Sequence, residues 1–262
     1  MTYRTLRFDV EEGLARIILD RPDAANALDL VMAEELFDVS LRCAADRSLR
    51  AVLLRGEGKM FCAGGDLKCF AAEGEGAPAF VTKVATLLHN AVTRFAHLDA
   101  PVVVGVNGTA AGAGFSIALS GDYVIASSAA KFVSAYTASG LSPDGSSTYY
   151  LAKHIGLLRA KELMLANRVL SAEEALSWGL VSRVVPAEDL VRETEAMARQ
   201  FAAGATKAFG ATKQLLLRAY REGLESQIEE ETRHIAELIG GEDGQQGMAA
   251  FLAKAKPSFK GR

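Results

Sequence analysis

Apolar and polar positions alternate with a period of two from Tyr3 to Pro22, through TLRFDV, EEG and LARIILDRP, and predict a β-hairpin that turns at Gly13. After Asp29 the period changes: Val31, Met32, Leu36, Val39 and Cys43 recur at helical spacing up to Ala45, and Leu49 to Arg55 (LRAVLLR) reads as a buried strand. The run GEGKMFCAGGDLKCF then passes through small residues into a helix expected to begin near Asp66. Glu73 to Pro78 (EGEGAP) reads as a flexible loop of the kind that gates a neighbouring site, and Phe80 to His97 as a helix. From Pro101 the apolar run PVVVGV predicts a central buried strand, followed by Asn107-Gly108 and by TAAGAGFSIAL, whose Ala/Ile/Leu spacing predicts another helix. Asp122 to Ser127 (DYVIAS) is a short strand, and Lys131 to Ser147 an irregular connection rich in Ser, Gly and Pro. In SAEEALSWGLVSRVV, Ser171 and Glu174 form a capping box, Gly179 ends the short helix, and LVSRVV is a strand. Glu188 to Lys256 reads as three or four amphipathic helices, with breaks near Gly204, Gly223 and Gly240-Gly241.

Composition narrows the classes. A chain of 262 residues, 50% of them hydrophobic, can bury a large core. A formal net charge of -3 gives no basic footprint for nucleic acid and no cationic face for a membrane. MTYRTLRFDVEEG has neither the charged start nor the apolar centre of a signal peptide, so a cytoplasmic protein is expected. Cys43, Cys62 and Cys69 form no C-x-x-C pair, and His89, His97, His154 and His234 lack ligand spacing. Neither disulfides nor a metal are expected, and the histidines read as solvated or capped.

The chemistry concentrates in two glycine-rich turns, each placed between a strand and a helix. Small residues let a ligand approach the backbone, and the first N-H groups of a helix lack intrahelical partners, so they point at whatever binds. Two readings stay open for such a turn: tight packing by small residues, or capture of an electron-rich oxygen.

Over nearly its whole length the chain resembles the crotonase superfamily, also called the enoyl-CoA hydratase/isomerase family. The resemblance is carried, in the family's order, by DRPDAANALD, FCAGGDL, VNGTAAGAGFSIAL, SAEEALSWGLVSRVV and AFLAKAKPSFKGR. It implies an α/β fold: a spiral of ββα units over residues 1-200 carrying an acyl-CoA site, and a C-terminal helical trimerisation region over 201-262. It further implies acyl-CoA thioester substrates, no cofactor beyond the coenzyme A of the substrate, and a homotrimer or hexamer. Carried over by position, the N-H groups of Ala63 and Ala113 would hold the thioester oxygen, with alanine at the second place where the family usually has glycine. Two such donors stabilise the enolate charge by about 3 kcal/mol each. The resemblance places coenzyme A along Arg21, Ala24, Ala25, Ala63, Gly65, Asp66 and Leu67, with Phe259 and Lys260 near the adenosine or its phosphate. Phe70, Phe80, Leu87, Ser116 and Tyr136 are expected to wall the acyl pocket.

Family hydratases carry one glutamate just after the second turn and another about twenty residues later; this chain has Ser116 and Tyr136 there. Losing a positioned acid or base costs about 10² to 10⁴ in rate for each proton transfer, which speaks against ordinary water addition. GLSPDGSS offers Asp144, which resembles the acidic position of the family's enoyl-CoA isomerases and of ring-epoxide isomerases. Ser-Pro-Asp-Gly is also a favourable turn and helix start in its own right. The resemblance implies Asp144 as the sole acid/base for shifting a 3-enoyl to a 2-enoyl double bond, with hydratase chemistry, ring-epoxide isomerisation and non-catalytic CoA binding as alternatives. Two other classes compete. Tyr149 and Lys153 match the Tyr-x-x-x-Lys of short-chain dehydrogenases, but Ile117 stands where the glycine fingerprint needs a third glycine. Gly114-Phe115-Ser116-Ile117 approaches the serine-hydrolase elbow, but Ala118 replaces its last glycine.

Overall fold

The alternating opening folds as the hairpin it predicts. In the computed structural model, which describes residues 2-262, β1 (Leu6–Glu11) and β2 (Leu14–Leu19) pair antiparallel. Glu12 and Gly13 both take positive φ, 51° and 77°, which is the twist a two-residue hairpin needs.

The chain then alternates between two sheets. It runs through α1 (Leu30–Ala45), β3 (Ala51–Gly56), β4 (Met60–Cys62), α2 (Leu67–Ala72), α3 (Ala77–His97), β5 (Val102–Val106), β6 (Thr109–Ala111) and α4 (Ala113–Leu119). β7 (Tyr123–Ser127), β8 (Lys131–Val133), α5 (Ser147–Ala166), β9 (Leu170–Ser171), α6 (Ala172–Ser177) and β10 (Arg183–Val185) follow. The last elements are α7 (Leu190–Ala202), α8 (Thr206–Arg218), α9 (Leu224–Gly240) and α10 (Glu242–Leu252). One sheet has the order β1-β2-β3-β5-β7-β10, parallel beyond the first hairpin, and the other has β4-β6-β8-β9. The pairs β3/β4, β5/β6 and β7/β8 each give one strand to each sheet, which is the ββα spiral.

The inner strands β2, β3, β5 and β7 of the large sheet are buried on both faces, which explains their near-continuous apolar sequences. Val52, Leu54, Val102 and Val104 face the core under α1 and α3, while Ala51, Leu53 and Val103 face Ala198, Met197 and Phe201 of α7. α7 comes so close that a Cβ on Gly105 would lie 2.8 Å from Thr194 Oγ1. Its position is fixed by Arg16 of β2, which donates to Glu195 through Nε and Nη2 at 3.1 and 2.6 Å.

Two expectations change. The Glu73–Pro78 loop shrinks to a 3-10 turn at Gly74–Gly76, because α3 starts at Ala77 with Pro78 in its first turn, where proline lacks no needed donor. The irregular stretch Lys131 to Ser147 holds β8 and a 3-10 turn at Thr137–Ser139. α5 is interrupted at Gly156, whose φ of 77° is non-helical. The capping box at Ser171 and Glu174 and the helix breaks at Gly204, Gly223 and Gly241 fall where the sequence puts them. Among the described residues no helix is long and apolar enough to cross a membrane.

Candidate active site

The two glycine-rich turns meet. β4 leads into Ala63-Gly64-Gly65, and β6 leads through Gly112 into α4. Gly64 has φ of 97°, and a Cβ there would lie 2.9 Å from Ala111 O and 3.3 Å from the Ala113 nitrogen. Gly112 sits at φ 52°, ψ -124°, a conformation glycine adopts freely. A Cβ on Gly114 would fall 2.3 Å from Cys62 O, so the start of α4 rests directly on β4.

Only some of the backbone donors here are free. The Ala63 N-H, expected to hold a ligand oxygen, donates instead to Ala25 O at 3.0 Å, so that assignment is corrected. Asn26 fixes the Ala25 carbonyl in place: it is fully buried, and its side-chain amide reaches Glu57 O, Met60 O and Phe61 O at 2.9 to 3.1 Å. Two residues further on, the Gly65 N-H makes no hydrogen bond among the described residues. Nor does that of Ala113, the first residue of α4. Gly65 and Ala113 both line a cavity of about 470 Å³, so the free donor pair is Gly65 and Ala113.

Asp144 is the only carboxylate among the residues lining that cavity, and its side chain is tightly held. Tyr136 donates its hydroxyl to Asp144 Oδ1 at 2.7 Å, and His89 Nε2 lies 3.2 Å from Oδ2. Burial, then the neighbouring Asp144 charge, pushes the Tyr136 hydroxyl far above its ordinary value of 10, so it stays a donor. Ser116 braces the carboxylate from behind. Its Oγ donates to Asp144 O at 2.8 Å and lies 3.2 Å from the Tyr136 hydroxyl.

Ser116, expected on the pocket wall, is fully buried and does not reach the cavity. Tyr136 lines the cavity as expected and donates its hydroxyl to Asp144. Phe70 lines the cavity as expected. Phe80 and Leu87 do not: Phe80 packs edge-on against Phe70 with centroids 6.0 Å apart, and both support the core from outside. Their places on α3 go to Val81, Ala85 and His89, spaced four apart along one face. His89, expected to be solvated or capped, is half exposed, and the fold sets it against Asp144 across 55 residues of chain.

The Tyr149 and Lys153 pair lies on one face of α5, with the ammonium 3.9 Å from the ring centroid, a cation–π contact. Cys43 and Cys62 are buried, Cys69 is half-buried, and all are free thiols.

Comparison with known proteins bears on the whole chain. The sequence profile described as enoyl-CoA hydratase/isomerase matches residues 9–262. The chain belongs to the enoyl-CoA hydratase/isomerase family. Its relatives include a Rhodobacter capsulatus protein named "Probable enoyl-CoA hydratase", 38% identical over 100% of both chains. A 1,2-epoxyphenylacetyl-CoA isomerase of Escherichia coli is 38% identical over 97% of each chain. The crystal structure of an enoyl-CoA hydratase from Polaromonas sp. JS666 superimposes with a TM-score of 0.92 at 33% identity, covering 97% of this chain and 99% of that one.

Within this enoyl-CoA hydratase/isomerase family member, the expected coenzyme A residues fall into two groups. Ala63, Gly65 and Leu67 are on the cavity wall, with Arg21, Ala24, Ala25 and Asp66 in the loops that support it. Arg21 pairs with both Asp29 and Asp66 at 3.3 Å, so its charge is already engaged. Burial alone would raise the Asp66 carboxyl, but hydrogen bonds from Cys69 and Arg21 hold it below its ordinary value, and it caps α2 as an anion. Phe259 and Lys260 are not brought to this cavity. Phe259 lines a separate one of about 520 Å³ beside α9 and α10, and Lys260 Nζ pairs with Glu242 at 2.6 Å. The buried carboxylate of Asp243 holds that tail, accepting the N-H groups of Lys260 and Gly261 at 2.6 and 2.7 Å.

Proposed function

We propose that this protein shifts the double bond of a 3-enoyl-CoA to give a 2-enoyl-CoA, with Asp144 as the sole acid/base. The observation that carries this is a lone carboxylate lining the same cavity as two unpartnered backbone N-H groups. The thioester oxygen accepts from Gly65 and Ala113, which stabilise the charge that develops when C2 loses its proton. Asp144 takes that proton, the dienolate is held by the donor pair, and the acid so formed returns a proton at C4. Only protons move, so no redox cofactor is needed. Water addition would require a second carboxylate to position the nucleophile, and Ser116 and Tyr136 occupy those places as props for the first.

The deciding experiment follows 3-enoyl-CoA isomerisation and 2-enoyl-CoA hydration side by side. Isomerisation should dominate, and Asp144→Asn should lower it about 10²- to 10⁴-fold with acyl-CoA affinity retained. Faster hydration than isomerisation, or wild-type rates in the variant, would remove the basis for a single-base mechanism.

Ring-epoxide isomerisation is the second reading, supported by the 38% identity to the epoxyphenylacetyl-CoA isomerase and by the small side chains Thr82, Ala85 and Ala135 on the cavity wall. It uses the same base and donor pair, and an aryl-epoxide thioester in the same assay separates the two. We also propose that the chain works as a homotrimer or a dimer of trimers. Support comes from the apolar side chains left outside: Leu157, Leu158 and Leu165 on α5 are 63, 83 and 70% exposed, and Phe251 and Leu252 end α10 in the same condition.

A further inference from the structure

His89 stands in a hydrogen-bond arrangement that has room for one proton. Gly145 donates its N-H to His89 Nε2 at 3.1 Å, and the same nitrogen lies 3.2 Å from Asp144 Oδ2. A ring nitrogen carries either a lone pair or a proton. With a lone pair, Nε2 accepts from Gly145, and its contact with Oδ2 becomes a hydrogen bond only when the carboxyl holds a proton. With a proton, Nε2 donates to an ionised Oδ2, and Gly145 loses its acceptor. In either favourable state one proton lies between Nε2 and Oδ2.

The rest of the cluster directs traffic through that contact. Asp144 Oδ1 is occupied by the Tyr136 hydroxyl at 2.7 Å, which leaves Oδ2 as the oxygen that meets a substrate proton. Both His89 and Asp144 line the cavity, and the His89 side chain is 47% exposed, whereas that of Asp144 is 34% exposed. An imidazole can carry a proton on either ring nitrogen and exchange it with water.

We propose that His89 is the second stop of the proton Asp144 removes, and that it exchanges this proton with water, so that the hydrogen delivered to C4 comes from solvent. The inference rests on the isomerase reading. The C2–H bond breaks, its electron pair enters the dienolate, and its proton bonds to Oδ2. That proton moves to Nε2, leaving a carboxylate beside an imidazolium. Nε2 gives it to water, returning to the neutral tautomer that accepts from Gly145, and takes another back. The new proton passes through Oδ2 to C4 as the dienolate electrons form the C4–H bond, and the site returns to its starting charge. His89 acts through Asp144, which alone touches the reacting carbons.

The test is the isotopic content of the product. 3-Enoyl-CoA is turned over in D₂O to low conversion by the wild type and by His89→Gln, which keeps a donor and an acceptor at the same place but cannot carry the proton. Wild-type 2-enoyl-CoA should gain one mass unit at C4, and the variant's incorporation per turnover should fall about tenfold or more, at or below the lower end of a lost proton-transfer step. Retention of the substrate's own hydrogen in the wild-type product, or equal incorporation by a folded His89→Gln, would overturn the relay. A second arm separates its failure from that of the isomerase reading. Saturated acyl-CoA in D₂O should exchange its C2 hydrogen with the wild type and much more slowly with His89→Gln. Exchange at C2 without any double-bond shift would remove the isomerase reading and still test the relay. A double-bond shift without exchange would remove the relay alone.

Discussion

At the scale of single residues, the site turns on Ser116 and Tyr136, which stand where the family resemblance would put two hydratase carboxylates. Ser116 contributes its hydroxyl to the backbone of Asp144, and a Cβ on Gly145, at φ 62°, would lie 2.9 Å from Ser116 Cβ. The Ser116 side chain is thus fully buried against the Asp144 loop. Restoring a glutamate there therefore should not restore hydration: Ser116→Glu places a carboxylate in a fully buried position and displaces the loop that carries Asp144. We expect a loss of about 3 to 5 kcal/mol of stability, the cost of an uncompensated buried charge, together with loss of the proposed isomerisation. Thermal denaturation and the paired enoyl-CoA assays check both parts; a stable variant with new hydratase activity would show that the loop is more adaptable than its packing indicates.

Among elements, the joint between β2 and α7 makes a pH-dependent contribution that can be read by sign. The hydrogen bonds from Arg16 hold the Glu195 carboxyl below its ordinary value of 4.5, against the opposing effect of partial burial. A depressed folded value means that the stabilisation is present above the unfolded value and is lost as pH falls through the folded one. Glu195→Gln should therefore lower stability at pH 7 by about 1 kcal/mol. That corresponds to about 2 to 4 °C in melting temperature, and the gap between variant and wild type should close toward pH 3. A gap that stayed constant with pH would indicate lost packing instead of lost charge. The sequence makes such elements legible where their signals are local: the hairpin through Gly13, the box at Ser171 and Glu174, and the helix breaks at glycines. β4, β6, β8 and β9 are only two or three residues long and pair with strands far away in the chain, so no local period marks them. The same limit applied to the site. Asp144 and the two turns are visible as motifs, whereas His89 becomes informative only when α3 packs beside the Asp144 loop. Which amide of the Ala63-Gly64-Gly65 run is free depends on a carbonyl 38 residues earlier, that of Ala25.

For the whole molecule, the exposed leucines of α5 and the apolar end of α10 set the expected assembly. Light scattering at micromolar concentration should give a mass of about three or six chains, as coverage of so much apolar surface by like surface requires. A monomeric mass would leave those side chains in water and remove the support for a trimer. The meeting of the two glycine turns has a further consequence for cooperativity. One free amide comes from the β3/β4 unit and the other from the β5/β6 unit, and the two backbones approach so closely that a Cβ on Gly64 would lie 2.9 Å from Ala111 O. Neither unit alone contains an oxygen-binding pair. The donor pair is thus a property of the docked repeats: under the proposed mechanism, a fragment, or a partly unfolded chain in which one repeat has come away, keeps Asp144 and still loses enolate stabilisation.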